Sequence, residues 1–311
     1  MKRILTIDGG GIRGIIPGVI LAYIESKLPS HKLSDYFDMI AGTSTGGILT
    51  CCYLYPGNKY SAQDAVDMYI SRGQEIFDSS LWYKIKSAGG LNLAKYQATN
   101  IEKIFNEYFG ELKLSDFTKP CAITTYDITR RKIKIFNSID AQKSSIDNYF
   151  IKDVARATSA APTYFPPKQI SSVYGSVINA IDGGIFANNP TMVAYSEAKE
   201  HFGADEKLFL LSIGPGSENK SYDINKATSW GMVGWLRPSI DMLMSSNSEC
   251  VDYNMTKINT DYIRLSPSLC GASHELDDAS DKNLSMLEHA GKLFVAENAL
   301  LLDDIIKKII Q

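Results

Sequence analysis

Two hydrophobic periodicities alternate along this chain. Short β-branched and apolar runs end in glycine-rich turns, and apolar positions then recur at helical spacing. Residues 3–7 predict a buried strand. Ile15, Ile16, Val19, Ile20, Ile24 and Leu28 predict the helix after it, with Pro17 tolerated in the first turn. Residues 36–41 read as a second strand and residues 48–54 as its helix. Between residues 60 and 110 two helices are expected. One carries Ala65, Met68, Tyr69, Arg72, Ile76 and Phe77; the other carries Ile101, Ile104, Phe105 and Tyr108, capped by Asn100 and closed by Gly110. Residues 87–91 read as a flexible connection between them.

The pattern continues in the second half. Residues 121–128 predict a central strand, and the alternating residues 131–136 an antiparallel partner. Residues 154–161 are a small-residue helix ended by prolines. Residues 178–182 are a short strand before a turn, and a helix starts from Thr191. Residues 207–213 are another apolar strand. The aromatic and methionine-rich stretch around residues 230–244 reads first as core; an acyl-chain pocket or lipid-facing surface is the sharper alternative. Residues 284–310 read as amphipathic helix. Strands separated by helices imply an α/β fold with a mainly parallel sheet covered on both faces. No interdomain linker interrupts it, so residues 1–311 are read as one domain, helical from about residue 225 onward.

Composition narrows the function. The chain is 44% hydrophobic and 22% charged, with a formal net charge of -3, which argues against general nucleic-acid affinity. Cys51, Cys52, Cys121, Cys250 and Cys270 are odd in number and lack C-x-x-C spacing. They predict free thiols in a reducing compartment, with no zinc site. The N-terminal apolar run is too short for a signal peptide, and no run is long enough to span a membrane. A cytoplasmic protein is the expectation.

Three glycine-bearing motifs carry the candidate chemistry. Gly42-Thr43-Ser44-Thr45-Gly46 matches G-x-S-x-G between a strand and a helix. A serine on so sharp a turn exposes its hydroxyl, and the helix N-terminus behind it favours a developing alkoxide. Asp8-Gly9-Gly10-Gly11-Ile12-Arg13-Gly14 also lies between a strand and a helix and presents backbone N–H groups to one point. It can be an oxyanion hole. It can also be a dinucleotide loop, since Gly9, Gly11 and Gly14 fit G-x-G-x-x-G. Asp35, the nearest acidic residue to bind a ribose, does not end a second strand, and a dinucleotide site leaves the serine turn unexplained. The third motif, Asp182-Gly183-Gly184, places a carboxylate at a strand end, although Asp-Gly is also a common turn.

A serine nucleophile needs a base. His31, His201, His274 and His289 all lie outside these motifs. Their placement selects Asp182 and a Ser-Asp dyad. A free aspartate, with a pKa of about 3.9, is a weak base for a hydroxyl, so burial would have to raise it.

These three blocks, in this order, resemble the signature of the patatin-like phospholipases. Residues 159–167, residues 124–127 and the Trp230 to Leu236 stretch add to the resemblance, which runs across nearly the whole chain. It implies a three-layer α/β/α fold, lipid acyl hydrolase activity, no cofactor and no metal. Carried over by motif, Ser44 is the nucleophile and Asp182 its partner. Gly9, Gly10 and Gly11 line the oxyanion hole, and Arg13 orients the loop or meets a phosphate. The implied partner is a membrane phospholipid or other acyl lipid, met in transient contact with the bilayer. An acyltransferase using the same acyl-enzyme and a nucleotide-binding regulatory module are the competing functions. No motif identifies a nucleotide activator site.

Overall fold

The computed structural model describes residues 1–78, 83, 93–217, 221–258 and 260–311. The connection expected at residues 87–91 lies outside them. Among the described residues, eight strands form one sheet: β1 (Lys2–Ile7), β2 (Met39–Thr43), β3 (Cys121–Asp127), β4 (Lys132–Asn137), β5 (Lys168–Ser171), β6 (Val177–Asp182), β7 (Leu208–Ile213) and β8 (Asp261–Leu265). Their order is β5-β6-β3-β2-β1-β7-β8, with β4 also paired to β3. The pairs from β3 through β2, β1 and β7 to β8 are parallel, whereas β4 and β6 run antiparallel to β3 and β5 runs antiparallel to β6.

Alternation along the strands builds the layers. Leu5, Ile7, Ile40, Ile123, Phe209 and Leu211 face the larger core, which helices Ile15–Lys27, Thr45–Tyr53, Ala62–Ile76 and Asp281–Glu297 help to fill. Ile4, Met39, Ala41, Ala122, Leu208 and Leu210 face the opposite layer. There helix Thr191–Phe202 and the last turn of helix Met232–Met255 pack through Ala194, Ala198 and Met255. β7, buried at every position, is apolar except for Ser212 because both faces are covered.

Several boundaries differ from the sequence reading. Tyr36 ends a short helix, Leu33–Tyr36, and the second strand starts only at Met39. The cause is Asp38, whose carboxylate accepts the Arg3 N–H at 2.9 Å and Lys2 Nζ at 3.1 Å, so it pins the entry to the strand. Asn100 is not a cap. It lies inside helix Thr99–Phe109, and its Nδ2 donates to the Glu75 carbonyl of the neighbouring helix at 2.9 Å. The C-terminal run breaks at Asn298 into helices Asp281–Glu297 and Ala299–Ile310. The stretch around residues 230–244 belongs to helix Met232–Met255 and is not core: Met232 is 91% exposed and Leu243 55% exposed. All five cysteines are free. Among the described residues, no helix is long and apolar enough to cross a membrane.

Candidate active site

The sheet register brings Ser44 and Asp182 together. Strands β2 and β6 share one edge of β3 end to end: Thr43 sits opposite Thr124, and Asp182 sits opposite the next residue, Thr125. β2 arrives from one direction and stops after Thr43; β6 arrives from the other and stops at Asp182. The residue that follows Thr43 therefore meets the carboxylate. The Ser44 hydroxyl faces the Asp182 carboxylate in one cavity, and Asp182 accepts the Gly184 N–H at 2.7 Å.

Ser44 stands at φ 55° and ψ -120°, an uncommon backbone for a non-glycine residue. Two close approaches hold the turn. A Cβ on Gly42 would lie 2.1 Å from the Gly46 carbonyl oxygen, and one on Gly46 would lie 2.0 Å from that of Ile7. Only glycine lets the strand and the helix start this near each other. The Ser44 N–H is satisfied by Thr158 Oγ1 at 2.9 Å, and that hydroxyl donates to the Thr124 carbonyl at 2.7 Å. Ser44 then opens helix Thr45–Tyr53, all of whose residues are buried, so the partial positive charge of the N-terminus faces the Ser44 hydroxyl in a dry setting.

Burial sets the chemistry of Asp182. It is 4% exposed, and desolvation pushes its carboxyl from the ordinary 3.8 up to about 6, against the lowering effect of the hydrogen bonds from Ser44 and Gly184. Ser44 and Asp182 line a cavity whose walls are apolar, among them Ile48, Phe77, Phe165, Ile240, Leu243 and Met244. None of the four histidines lines it.

The glycine loop forms the adjoining wall. Gly11 has φ +57°, and a Cβ there would stand 2.2 Å from the Leu276 carbonyl oxygen. The Gly9 N–H is committed to the Asn188 carbonyl at 3.0 Å, so it is not available to an oxyanion. Among the described residues, Gly10 and Gly11 donate their N–H groups to no protein acceptor. Arg13 does not line the Ser44 cavity. Its Nε donates to the Gly10 carbonyl at 3.3 Å and its Nη1 to that of Gly216 at 3.5 Å, and it lines a neighbouring polar cavity of about 1430 Å³. Asp35 lies in the short helix Leu33–Tyr36, away from any strand end where a ribose-binding acid would stand.

Two features of the site are absent from the sequence motifs. Asp8, 1% exposed, receives a bidentate pair from Arg264: Nη1 at 2.8 Å and Nη2 at 2.6 Å. This anchors the glycine loop to β8. Helix Met232–Met255 grips the turn after Asp182, where Asn247 Oδ1 accepts the Asn188 N–H at 3.0 Å and Ser248 Oγ accepts Asn188 Nδ2 at 3.1 Å.

The model of the patatin-like phospholipase family matches residues 5–195, which contain every one of these motifs. The chain belongs to the patatin-like phospholipase family. It is 30% identical to patatin-like protein 2 of Oryza sativa subsp. indica, over 97% of this chain and 86% of that one. It is 32% identical to patatin-like protein 1 of the same plant, over 94% and 81%. It is also 29% identical, over 94% and 86%, to a Solanum tuberosum protein named probable inactive patatin-3-Kuras 1. Membership of this patatin-like family thus includes a protein named inactive, and the case for catalysis rests on the geometry around Ser44.

Proposed function

We propose that the protein is a serine lipid acyl hydrolase that cleaves fatty-acyl esters of membrane lipids through a Ser44–Asp182 dyad. The observation that carries this reading is a serine hydroxyl facing a buried carboxylate in one apolar cavity. Asp182 takes the Ser44 proton as Oγ attacks the ester carbonyl. A carboxyl near 6 is a better base than an ordinary aspartate and is still ionised at neutral pH. The oxyanion forms beside the Gly10 and Gly11 N–H groups and the N-terminus of helix Thr45–Tyr53, donors already in place before the charge develops. Collapse expels the alcohol, which takes the proton from Asp182, and leaves an acyl-enzyme on Ser44. Water, deprotonated by Asp182, then releases the fatty acid.

The apolar cavity holds the acyl chain. Its rim includes the exposed Leu243 and Ile185, and Trp235 and Met232 continue an exposed apolar strip along the same helix. That strip gives the protein a face for transient contact with a bilayer, from which a single lipid enters. The test is turnover of phospholipid vesicles with analysis of the released fatty acid. Ser44→Ala and Asp182→Asn each abolish release while the proteins stay folded; either variant turning over near the wild-type rate overturns the dyad.

A further inference from the structure

Asn188 follows the Asp182 turn and stands between the two cavities. It is 5% exposed and lines the polar one. Three of its four polar groups are engaged. Its carbonyl accepts the Gly9 N–H at 3.0 Å, its N–H donates to Asn247 Oδ1 at 3.0 Å, and its Nδ2 donates to Ser248 Oγ at 3.1 Å and the Gly9 carbonyl at 3.4 Å. The fourth, Oδ1, is buried with no partner. A buried acceptor without a donor is costly and calls for a functional account.

Oδ1 points at the catalytic centre. It lies 2.5 Å from where a Cβ on Gly9 would stand, and the Ser44 Cβ lies 3.3 Å from the same point. Beside Gly184, where another Cβ would stand, Asn188 Oδ1 is 3.2 Å away and Asp182 Oδ1 is 3.1 Å away. The two side-chain oxygens are therefore no farther apart than the sum of those distances. One water, with two hydrogen bonds of about 2.8 Å, bridges oxygens up to about 5.6 Å apart, inside that upper bound. In the free protein no protein donor reaches Oδ1.

We propose that Asn188 Oδ1 orients the water that hydrolyses the acyl-enzyme, an inference that rests on the acyl hydrolase reading above. Once the alcohol has left with the proton from Asp182, a water takes its place. It donates one hydrogen to the ionised Asp182 and the other to Asn188 Oδ1, which leaves a lone pair facing the acyl carbon on Ser44. As the new C–O bond forms, the first proton passes to Asp182; the second stays on the water oxygen. The C–Oγ bond then breaks, Asp182 returns its proton to Ser44 Oγ, and the product is the fatty acid. The same orientation favours water over an alcohol acceptor, since an alcohol has only one hydrogen to donate.

The inference separates deacylation from acylation. Stopped-flow turnover of p-nitrophenyl decanoate gives both rates, intact mass gives the acyl-enzyme, and labelling by a fluorophosphonate reports the nucleophile without any water step. In Asn188→Leu, labelling stays within about threefold of wild type while deacylation falls tenfold or more, with a full burst and an accumulated decanoyl adduct. Asn188→Asp, which keeps an acceptor oxygen, recovers most of the deacylation rate. If the leucine variant does not label, Asn188→Ala adds no bulk and is read the same way. Deacylation at the wild-type rate, or labelling and deacylation falling together, overturns the role of Asn188 and leaves the dyad standing. A wild-type protein with neither turnover nor adduct removes both proposals.

Discussion

Asp182 lies across the sheet from Thr125, one residue beyond the Thr124 that faces Thr43. Two strands thus meet end to end on one edge of β3, and the serine turn of one ends against the carboxylate of the other. The geometry requires no histidine. The hydroxyl meets the carboxylate through strand register, which the sheet hydrogen bonds and the buried faces of both strands fix.

The pH dependence follows from the burial of Asp182. The dyad works only with the carboxylate ionised. Acyl turnover is therefore expected to rise with pH through an apparent pKa of about 6 and then level off, without a fall near 7 of the kind a histidine acid would give. A pH series of kcat/KM on a soluble ester checks this; a midpoint near 4 contradicts the desolvated environment.

Stability should move the other way. A carboxyl raised from 3.8 to about 6 binds its proton more tightly in the folded chain than in the unfolded one. Its contribution to stability therefore falls as pH rises through that interval. Asp182→Asn should stabilise the protein by about 1–3 kcal/mol at pH 7–8 while abolishing catalysis, and the gain should vanish below about pH 4. Denaturant unfolding of both proteins at the two pH values measures it.

Thr158 is the test of the turn itself. Thr158→Val leaves the buried Ser44 N–H without an acceptor, at a cost of about 1–3 kcal/mol, and lets the nucleophile shift. Thr158→Ser keeps the hydroxyl and should stay near wild type in both melting temperature and turnover. Equal behaviour of the two variants would assign Thr158 to packing alone.

Arg264 supplies the charge that the buried Asp8 needs. Arg264→Met strands that carboxylate and should cost about 3–5 kcal/mol, read as a lowered unfolding midpoint. The double variant Asp8→Asn, Arg264→Met should recover most of the loss in a mutant cycle, because both charges are then gone.

The legible parts of this protein are those whose physics is local. The three glycine motifs could be read because close backbone approaches, as at Gly42 and Gly46, exclude every other residue. β1, β7 and β3 could be read because each carries a buried apolar run: Ile4-Leu5, Leu208 to Leu211 and Cys121 to Ile123. The short, half-exposed strands β5 and β8 gave no such signal. The Asp8–Arg264 pair and the bond from Ser44 to Thr158 join residues far apart in sequence, which no local pattern encodes. The apolar residues around 230–244 suggest a core helix, yet Leu243 and Met244 line a cavity. Apolar side chains fill a core and line a pocket equally well, so composition alone does not separate the two. The glycine loop also carried one donor too many, since the Asn188 carbonyl claims the Gly9 N–H only once the chain has folded.

The central claim is that Ser44 is a nucleophile activated by Asp182. The most direct measurement is covalent labelling of the purified protein by a fluorophosphonate, with the adduct located by peptide mass. The account predicts one adduct, on Ser44, absent from Ser44→Ala and slowed at least a hundredfold in Asp182→Asn. Labelling of Asp182→Asn at the wild-type rate, or an adduct on any other serine, would contradict it.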